Sequence, residues 1–197
     1  YNLVLMSDYV IYTDGGCCNT SVYGEGGSAY VILQDGKIFA QNSKGFVNTT
    51  NNIMELLAIV SAVNALPKGS SALIHSDSQY AINVLSGHWK AKINTDLVNS
   101  FKEKVKSKKI KNLRFKWVKG HNGSYYNEMV DSMCTSEIEK IVAKYNLPKD
   151  RFTKKKKNQL KPHSVLVIVL CFVLLLYMGI RFVKAQSEIN AKEAQLT

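Results

Sequence analysis

Apolar and polar positions alternate along residues 9–145 with two periods, one typical of strands and one typical of helices. Period-two and short apolar runs predict five strands, at Tyr9–Thr13, Gly26–Leu33, Lys37–Phe46, Ala72–Ser76 and Leu113–Val118. Helical spacing predicts helices at Asn51–Leu66, Ser78–Leu85, Asn94–Lys106 and Asn127–Tyr145. Three early strands followed by alternating helices and strands indicate an α/β fold, a mixed sheet covered by helices.

Turn residues and helix faces add detail to this outline. Asp14-Gly15-Gly16 is predicted to end the first strand in a turn, and Gln34-Asp35-Gly36 to form a hairpin turn. The helix at Asn51–Leu66 is apolar nearly all round, which predicts that it is buried, and Pro67 ends it. The last helix is predicted to turn one apolar stripe inward, formed by Val130, Cys134, Ile138, Ile141 and Tyr145.

Glu55 is the only charged residue between Lys44 and Lys68, and it lies on the helix that is predicted to be buried. An ionised carboxylate is costly to bury unless it binds a cation or a strong hydrogen-bond donor. The functional interpretation is therefore a ligand site, and the alternative is a partly exposed surface glutamate.

Three further carboxylates are candidates for the same site. Asp14 and Asp77 each follow an apolar strand, and ligand sites in such sheets favour those ends. Each of the two could instead cap a turn or a helix. Asp131 lies beside the apolar stripe of its helix, where a single carboxylate is usually just exposed. Carboxylates that meet at one sheet edge repel each other without a cation, and such hard oxygen ligands select Mg²⁺ or Mn²⁺.

The composition excludes several classes of protein. A hydrophobic fraction of 46% is too high for a wholly disordered chain. The four cysteines show no CxxC pair and no Cys/His zinc spacing, which argues against a disulfide scaffold and a structural zinc site. The formal net charge is +11, and residues 149–197 hold ten Lys and Arg against three Asp and Glu, so the excess is concentrated near the end of the chain.

The chain changes character after Pro148. Residues 149–161 form a predicted basic linker. Residues 162–180 carry no formal charge over 19 positions, which as a helix span about 29 Å, close to the bilayer core of about 30 Å. A single transmembrane helix is therefore predicted over 162–183, followed by a short polar tail, 184–197; the alternative is a soluble interaction helix. Because the basic residues cluster before the span, residues 1–161 are expected on the cytoplasmic side.

Four sequence motifs occur in a fixed order along the first 148 residues. They are Tyr-Thr-Asp14-Gly-Gly-Cys, Thr-Asn-Asn-Ile-Met-Glu55-Leu, Ser-Asp77-Ser-Gln-Tyr, and Trp-Val-Lys-Gly-His121-Asn-Gly followed by Asn-Glu-Met-Val-Asp131. In these motifs residues 7–145 resemble type 1 ribonuclease H. The resemblance implies a ribonuclease H-like fold, a five-stranded mixed sheet flanked by helices, and a catalytic domain over 1–148.

The resemblance also implies an activity, hydrolysis of the RNA strand of an RNA–DNA hybrid to give 5′-phosphate and 3′-hydroxyl ends. By match to the family motifs, Asp14, Glu55, Asp77 and Asp131 would hold two Mg²⁺ ions, with Mn²⁺ as a substitute. One ion would activate a water and the other would stabilise the leaving 3′ oxygen. His121 matches the family's mobile histidine, which assists proton transfer or product release; an ordinary loop histidine is the alternative.

Substrate contacts follow from the same resemblance. Asn19, Asn52 and Gln79 match residues that touch the RNA strand, partly through 2′-hydroxyls. Thr50 and Asn51 match residues that grip a DNA-strand phosphate. For Asn51 and Asn52, capping of the helix N-terminus is the alternative.

Two features depart from the family pattern. The segment 85–97 is too short for the basic helical protrusion of some members, so Trp89, Lys90 and Lys92 are candidates to replace part of that grip. The predicted membrane span is the second departure.

Three functional interpretations remain open at this stage. The expected partners of a membrane-anchored ribonuclease H are an RNA–DNA hybrid and the lipid bilayer, which 162–183 would enter; no protein partner is implied, and a monomeric catalytic domain is expected. A non-catalytic membrane tether for nucleic acid is the alternative, but a pure binder has no use for clustered carboxylates facing phosphates. An integrase or resolvase of the same fold is disfavoured by Gln79 and the Lys-Gly-His121-Asn-Gly segment.

Overall fold

The computed structural model describes residues 8–18, 21–120 and 124–148. The strands are β1 (Tyr9–Cys17), β2 (Gly26–Gln34), β3 (Lys37–Phe46), β4 (Ser71–Ser76) and β5 (Lys111–Trp117). The helices are α1 (Asn51–Ala65), α2 (Gln79–Leu85), α3 (Thr95–Ser107) and α4 (Tyr125–Lys144). Among these described segments no helix is long and apolar enough to cross a bilayer. Asn19, His121, the predicted linker, the predicted span at 162–183 and the tail lie outside the described residues.

The sheet has the order β3-β2-β1-β4-β5. The hairpin partners β1–β2 and β2–β3 are antiparallel, whereas β1–β4 and β4–β5 are parallel. The predicted five-stranded mixed sheet is therefore confirmed. Parallel pairing ends at Tyr12 opposite His75, so β1 continues past its β4 neighbour.

Each face of the sheet has its own apolar core because successive side chains of a strand point to opposite faces. Ile11 of β1 belongs to the larger core, which also contains residues of α1, α2 and α3. Val10 and Tyr12 of β1 pack on the smaller core, which contains Val130 and Cys134 of α4. The helices thus lie on both faces, α1–α3 on one and α4 on the other.

The predicted turn at Asp14-Gly15-Gly16 is wrong, since β1 runs through these residues to Cys17. Gly15 and Gly16 pair with Ser28 and Gly27 of β2. Strand pairing across the sheet outweighs the local turn preference of two glycines. Asp14 is consequently held within a strand opposite Ala29 rather than in a loop.

Smaller differences of one or two residues occur at the ends of most other elements. β5 begins at Lys111, two residues before its predicted start, and ends at Trp117. α4 begins at Tyr125 and ends at Lys144. The prediction that Tyr145 points inward is wrong: it is the C-cap residue, past the last helical turn, and is 51% exposed.

Gly15→Ala is expected to lower the free energy of unfolding by about 2 kcal/mol or more. A Cβ at Gly15 would overlap the backbone of Met54 and Glu55 in α1, and the helix would have to move away from the sheet. Gly16→Ala is the matched control, because a Cβ there meets only Ile138 Cδ1 at 3.6 Å and Cys134 Sγ at 3.9 Å. Urea unfolding of both variants measures the difference, and equal destabilisation would contradict this account of Gly15.

Candidate active site

Two aspartates lie where the parallel pairing of β1 and β4 ends. Asp14 is two residues beyond Tyr12, and Asp77 is two residues beyond its partner His75. Since the two strands run in the same direction, both carboxylates lie at the same edge of the sheet. The indole Nε1 of Trp117 in β5 donates a hydrogen bond of 2.9 Å to the backbone oxygen of Asp77, which ties this position to the neighbouring strand.

The α1 helix brings a third carboxylate to this edge. Glu55 lies in the first half of α1, and the absence of a side chain at Gly15 lets the helix backbone pack directly on β1 at that level. Glu55 is 5% exposed, as its charge-isolated position in an apolar helix predicts. The backbone N–H of Gly15 lowers the pKa of this carboxylate, against the larger effect of burial.

Asp14, Glu55 and Asp77 form the cluster, each offering a carboxylate oxygen within 4.8 Å of the other two. Burial, followed by the charges of Asp77 and Asp131, raises the pKa of Asp14 to about 6. Burial, followed by the charges of Asp14 and Asp77, raises the pKa of Glu55 to about 9. The raised pKa values mean that the site disfavours the ionised form of these carboxylates. A bound cation would stabilise that ionised form.

The donor set fits a divalent cation. Within the described residues, Oε2 of Glu55 is buried and has no hydrogen-bond partner. A buried carboxylate oxygen without a donor is costly, and a bound metal ion would satisfy it. The candidate ligand atoms are all carboxylate oxygens. Such hard ligands bind Mg²⁺ and Mn²⁺ in preference to softer metals.

Asp131 lies apart from the tight cluster. It is half-buried on α4, and its charge contributes to the raised pKa of Asp14. The structure therefore brings three of the four predicted carboxylates together and places the fourth within electrostatic reach.

The predicted substrate residues lie on both sides of the cluster. Thr50 is the N-cap of α1, where its hydroxyl accepts a hydrogen bond of 3.4 Å from Ile53 N. The capping alternative for Asn51 and Asn52 is thus wrong, because Thr50 occupies the cap. The side-chain oxygen of Asn51 instead accepts from Cys17 N at 3.2 Å. Gln79 is exposed at the first turn of α2, two residues after Asp77.

Cys134 is a residue at this site that the sequence interpretation assigned only to an apolar stripe. Its thiol forms hydrogen bonds with Gly16 N at 3.2 Å and with the Asp14 backbone oxygen at 3.7 Å. The proximity of the thiol lowers the pKa of Asp14, against the larger effect of burial. The available signal was its spacing of three residues from Asp131, which puts both on one face of α4.

A mixed sheet with acidic residues at the end of its parallel pair is the architecture of metal-dependent α/β enzymes. A family model described as RNase H matches residues 6–139. The chain is 35% identical over 143 residues to a ribonuclease H of Neorickettsia sennetsu, covering 67% of this chain and 93% of that protein. It is 34% identical over 142 residues to a ribonuclease HI of Haemophilus ducreyi, covering 66% and 89%. The chain belongs to the RNase H family, and it is a ribonuclease H enzyme.

Solved structures agree with this assignment at the level of the fold. The N-terminal RNase H domain of Rv2228c from Mycobacterium tuberculosis, solved as a fusion with maltose-binding protein, matches with a TM-score of 0.60 at 17% identity. That match covers 71% of this chain and 99% of the other. LC11-RNase H1, crystallised in complex with an RNA/DNA hybrid, matches with a TM-score of 0.54 at 23% identity, covering 68% and 99%.

Proposed function

We propose that this protein hydrolyses the RNA strand of RNA–DNA hybrids with two bound Mg²⁺ ions, leaving 5′-phosphate and 3′-hydroxyl ends. The observation that carries the proposal is the convergence of Asp14, Glu55 and Asp77 at the end of the parallel strands. The relative crystallised with an RNA/DNA hybrid has the same fold and supports the choice of substrate.

Asp14, Glu55, Asp77 and Asp131 would hold the ions, with Mn²⁺ as a substitute. Bound Mg²⁺ would supply an activated water and stabilise the leaving 3′ oxygen. The rigid strands β1 and β4 and the buried helix α1 keep three of the carboxylates in place before substrate arrives, so little reorganisation accompanies binding.

His121 would assist proton transfer or product release. Support comes from Gly120, the residue before it, which approaches the metal cluster: a Cβ at Gly120 would lie 2.8 Å from Oδ2 of Asp77. The chain entering His121 therefore runs beside one of the proposed ligands.

The substrate would be held mainly by uncharged groups that recognise a backbone. Asn19, Asn52 and Gln79 would contact the RNA strand, where 2′-hydroxyls separate RNA from DNA. Thr50 and Asn51, at the N-terminus of α1, would hold a phosphate of the DNA strand, since unpaired backbone N–H groups and the helix dipole favour an anion there. Such contacts position the duplex without reading its bases.

Cleavage of strand-labelled duplexes tests the function. The chain of residues 1–197 should cut the RNA strand of a hybrid in Mg²⁺, and should leave double-stranded DNA and the DNA strand of the hybrid intact. EDTA should abolish cutting, and end-group analysis should find 5′-phosphates. Binding of the hybrid without metal-dependent cutting would instead favour the alternative, a non-catalytic tether.

Lys90→Ala combined with Lys92→Ala is expected to weaken hybrid binding and to reduce the slope of log K against log salt by about one per lysine. Both lysines are exposed, and Lys90 lines one surface cleft with Trp89, which is 52% exposed. Fluorescence anisotropy in EDTA measures binding without cleavage. Lys37→Ala, an exposed lysine beside the β2–β3 turn, is the control. An unchanged slope in the double variant would remove these lysines from the interface.

We also propose that 162–183 anchors the enzyme in a membrane, with the catalytic domain on the cytoplasmic side. The support is the uncharged run of 162–180 and the basic residues that precede it. Carbonate extraction of the full chain, compared with a chain ending at 161, tests this proposal. Release of the full chain into the soluble fraction would favour the alternative, a soluble interaction helix.

A further inference from the structure

The thiol of Cys134 contacts the part of β1 that extends past its pairing with β4. β4 pairs with β1 only as far as Tyr12, whereas β2 pairs with β1 as far as Cys17. Asp14 and Gly16 are two residues apart, and their backbone groups face the edge of β1 that is paired with β2. Cys134 Sγ accepts from Gly16 N at 3.2 Å and donates to Asp14 O at 3.7 Å, so the thiol links α4 to the backbone of β1 in addition to the strand pairing.

Gly27 of β2 allows α4 to come close enough for this contact. A Cβ at Gly27 would overlap the backbone oxygen of Cys134, and a Cβ at Gly16 would touch its Sγ at 3.9 Å. Cys134 is 2% exposed and belongs to the smaller core with Ala29 and Val130. The close approach of α4 to the sheet at Gly27 thus brings the thiol of Cys134 onto β1.

Cys134 and Asp131 are three residues apart on α4 and share a face of the helix. Any shift of α4 at Cys134 therefore moves Asp131 relative to Asp14. Asp131 is the carboxylate that stands outside the tight cluster, so its distance from the cluster depends on how α4 docks.

We propose that Cys134 is a positioning residue that holds β1 and α4 in register, and so sets the spacing of Asp14 and Asp131 for metal binding. The inference rests on the proposed metal-dependent function. A methyl group at this position would fill part of the same volume but would remove both thiol hydrogen bonds between α4 and β1. A serine would supply a donor and an acceptor again, although with a shorter bond.

Direct metal binding tests the inference without relying on activity. Mn²⁺ titration of the full chain, followed by electron paramagnetic resonance, should show a dissociation constant about fivefold weaker for Cys134→Ala than for the wild type. Cys134→Ser should recover part of that loss. Met133→Ala is the matched control, because Met133 is the adjacent residue of α4 and packs on the same core.

Thermal unfolding in EDTA separates positioning from simple packing. A packing role predicts that both alanine variants lose stability and that both bind Mn²⁺ like the wild type; that result overturns the proposal. A positioning role predicts that Cys134→Ala loses metal affinity, that Met133→Ala does not, and that Cys134→Ser recovers part of the loss.

The experiments distinguish a failure of the proposed activity from a failure of the positioning role. A wild-type protein that binds Mn²⁺ but does not cut the hybrid would refute the proposed activity and leave the positioning result intact. A wild-type protein that cuts the hybrid while all variants bind Mn²⁺ equally would refute the positioning role alone.

Discussion

Asp14→Asn is expected to reduce cleavage of an RNA–DNA hybrid at least about a thousandfold, because the variant loses a charged ligand at the centre of the carboxylate cluster. Asp14 belongs to the carboxylate cluster, and the charges of both Asp77 and Asp131 raise its pKa. Its carboxylate therefore interacts with both of these groups. An amide at this position keeps the shape of the side chain but cannot offset the charge of a divalent ion. Initial rates in saturating Mg²⁺ measure the loss.

The control for this variant is Asp96→Asn. Asp96 is an exposed acid in the first turn of α3 and is not part of the metal cluster. It should retain wild-type rates. Because Asp14→Asn removes a buried charge, it should also be at least as stable as the wild type in EDTA, which excludes unfolding as the cause. Near-normal cleavage by Asp14→Asn would contradict the assigned site.

The metal-free protein is expected to lose stability as the pH rises through the neutral range, and Glu55 is expected to be the main cause. The pKa of Glu55 is about 9 in the folded protein against an ordinary value of 4.5, so between these values the folded state binds more protons than the unfolded state. The free energy of unfolding therefore falls with rising pH, by at most about 1.4 kcal/mol per pH unit for one group. Urea unfolding in EDTA between about pH 6.5 and 8.5 measures the slope.

In this pH range, other titrating groups contribute little to the slope of the free energy of unfolding against pH. The pKa of Asp14 rises only to about 6, so its effect is largely complete below the window. Burial and the charge of Lys116 lower the pKa of His75 from 6.5, and its opposite effect on stability also lies below the window. Glu55→Gln should flatten the slope, and saturating Mg²⁺ should flatten it in the wild type. A stability that is independent of pH in EDTA would show that Glu55 ionises normally.

The order and type of the elements were predictable from local patterns. The spacing of apolar residues identified every strand, and Lys37–Phe46 matches the structure at both ends. The alternation of apolar and polar residues along a hairpin strand can be read from a few consecutive residues. The same is true of the isolation of Glu55 in an apolar helix. Such patterns survive folding because burial follows the same periodicity.

Local patterns failed where a distant contact decides the conformation. Asp14-Gly15-Gly16 has the composition of a turn, yet β2 pairs with it and extends β1 to Cys17. Asn51 and Thr50 are both good N-cap residues, and Asn51 is drawn away by its bond to Cys17 N. Neither outcome can be seen in the few residues concerned.

The sequence by itself determined the α/β architecture, the burial of Glu55 and the four candidate carboxylates, since each depends on residue type and short-range spacing. Only the tertiary structure decided which carboxylates meet closely, and that Cys134 contacts the end of β1. The groups involved lie far apart in the chain: Cys134 is 118 residues from Gly16 and 120 from Asp14. Their distances follow from strand register and from the docking of α1 and α4, which depend on close packing across the whole sheet.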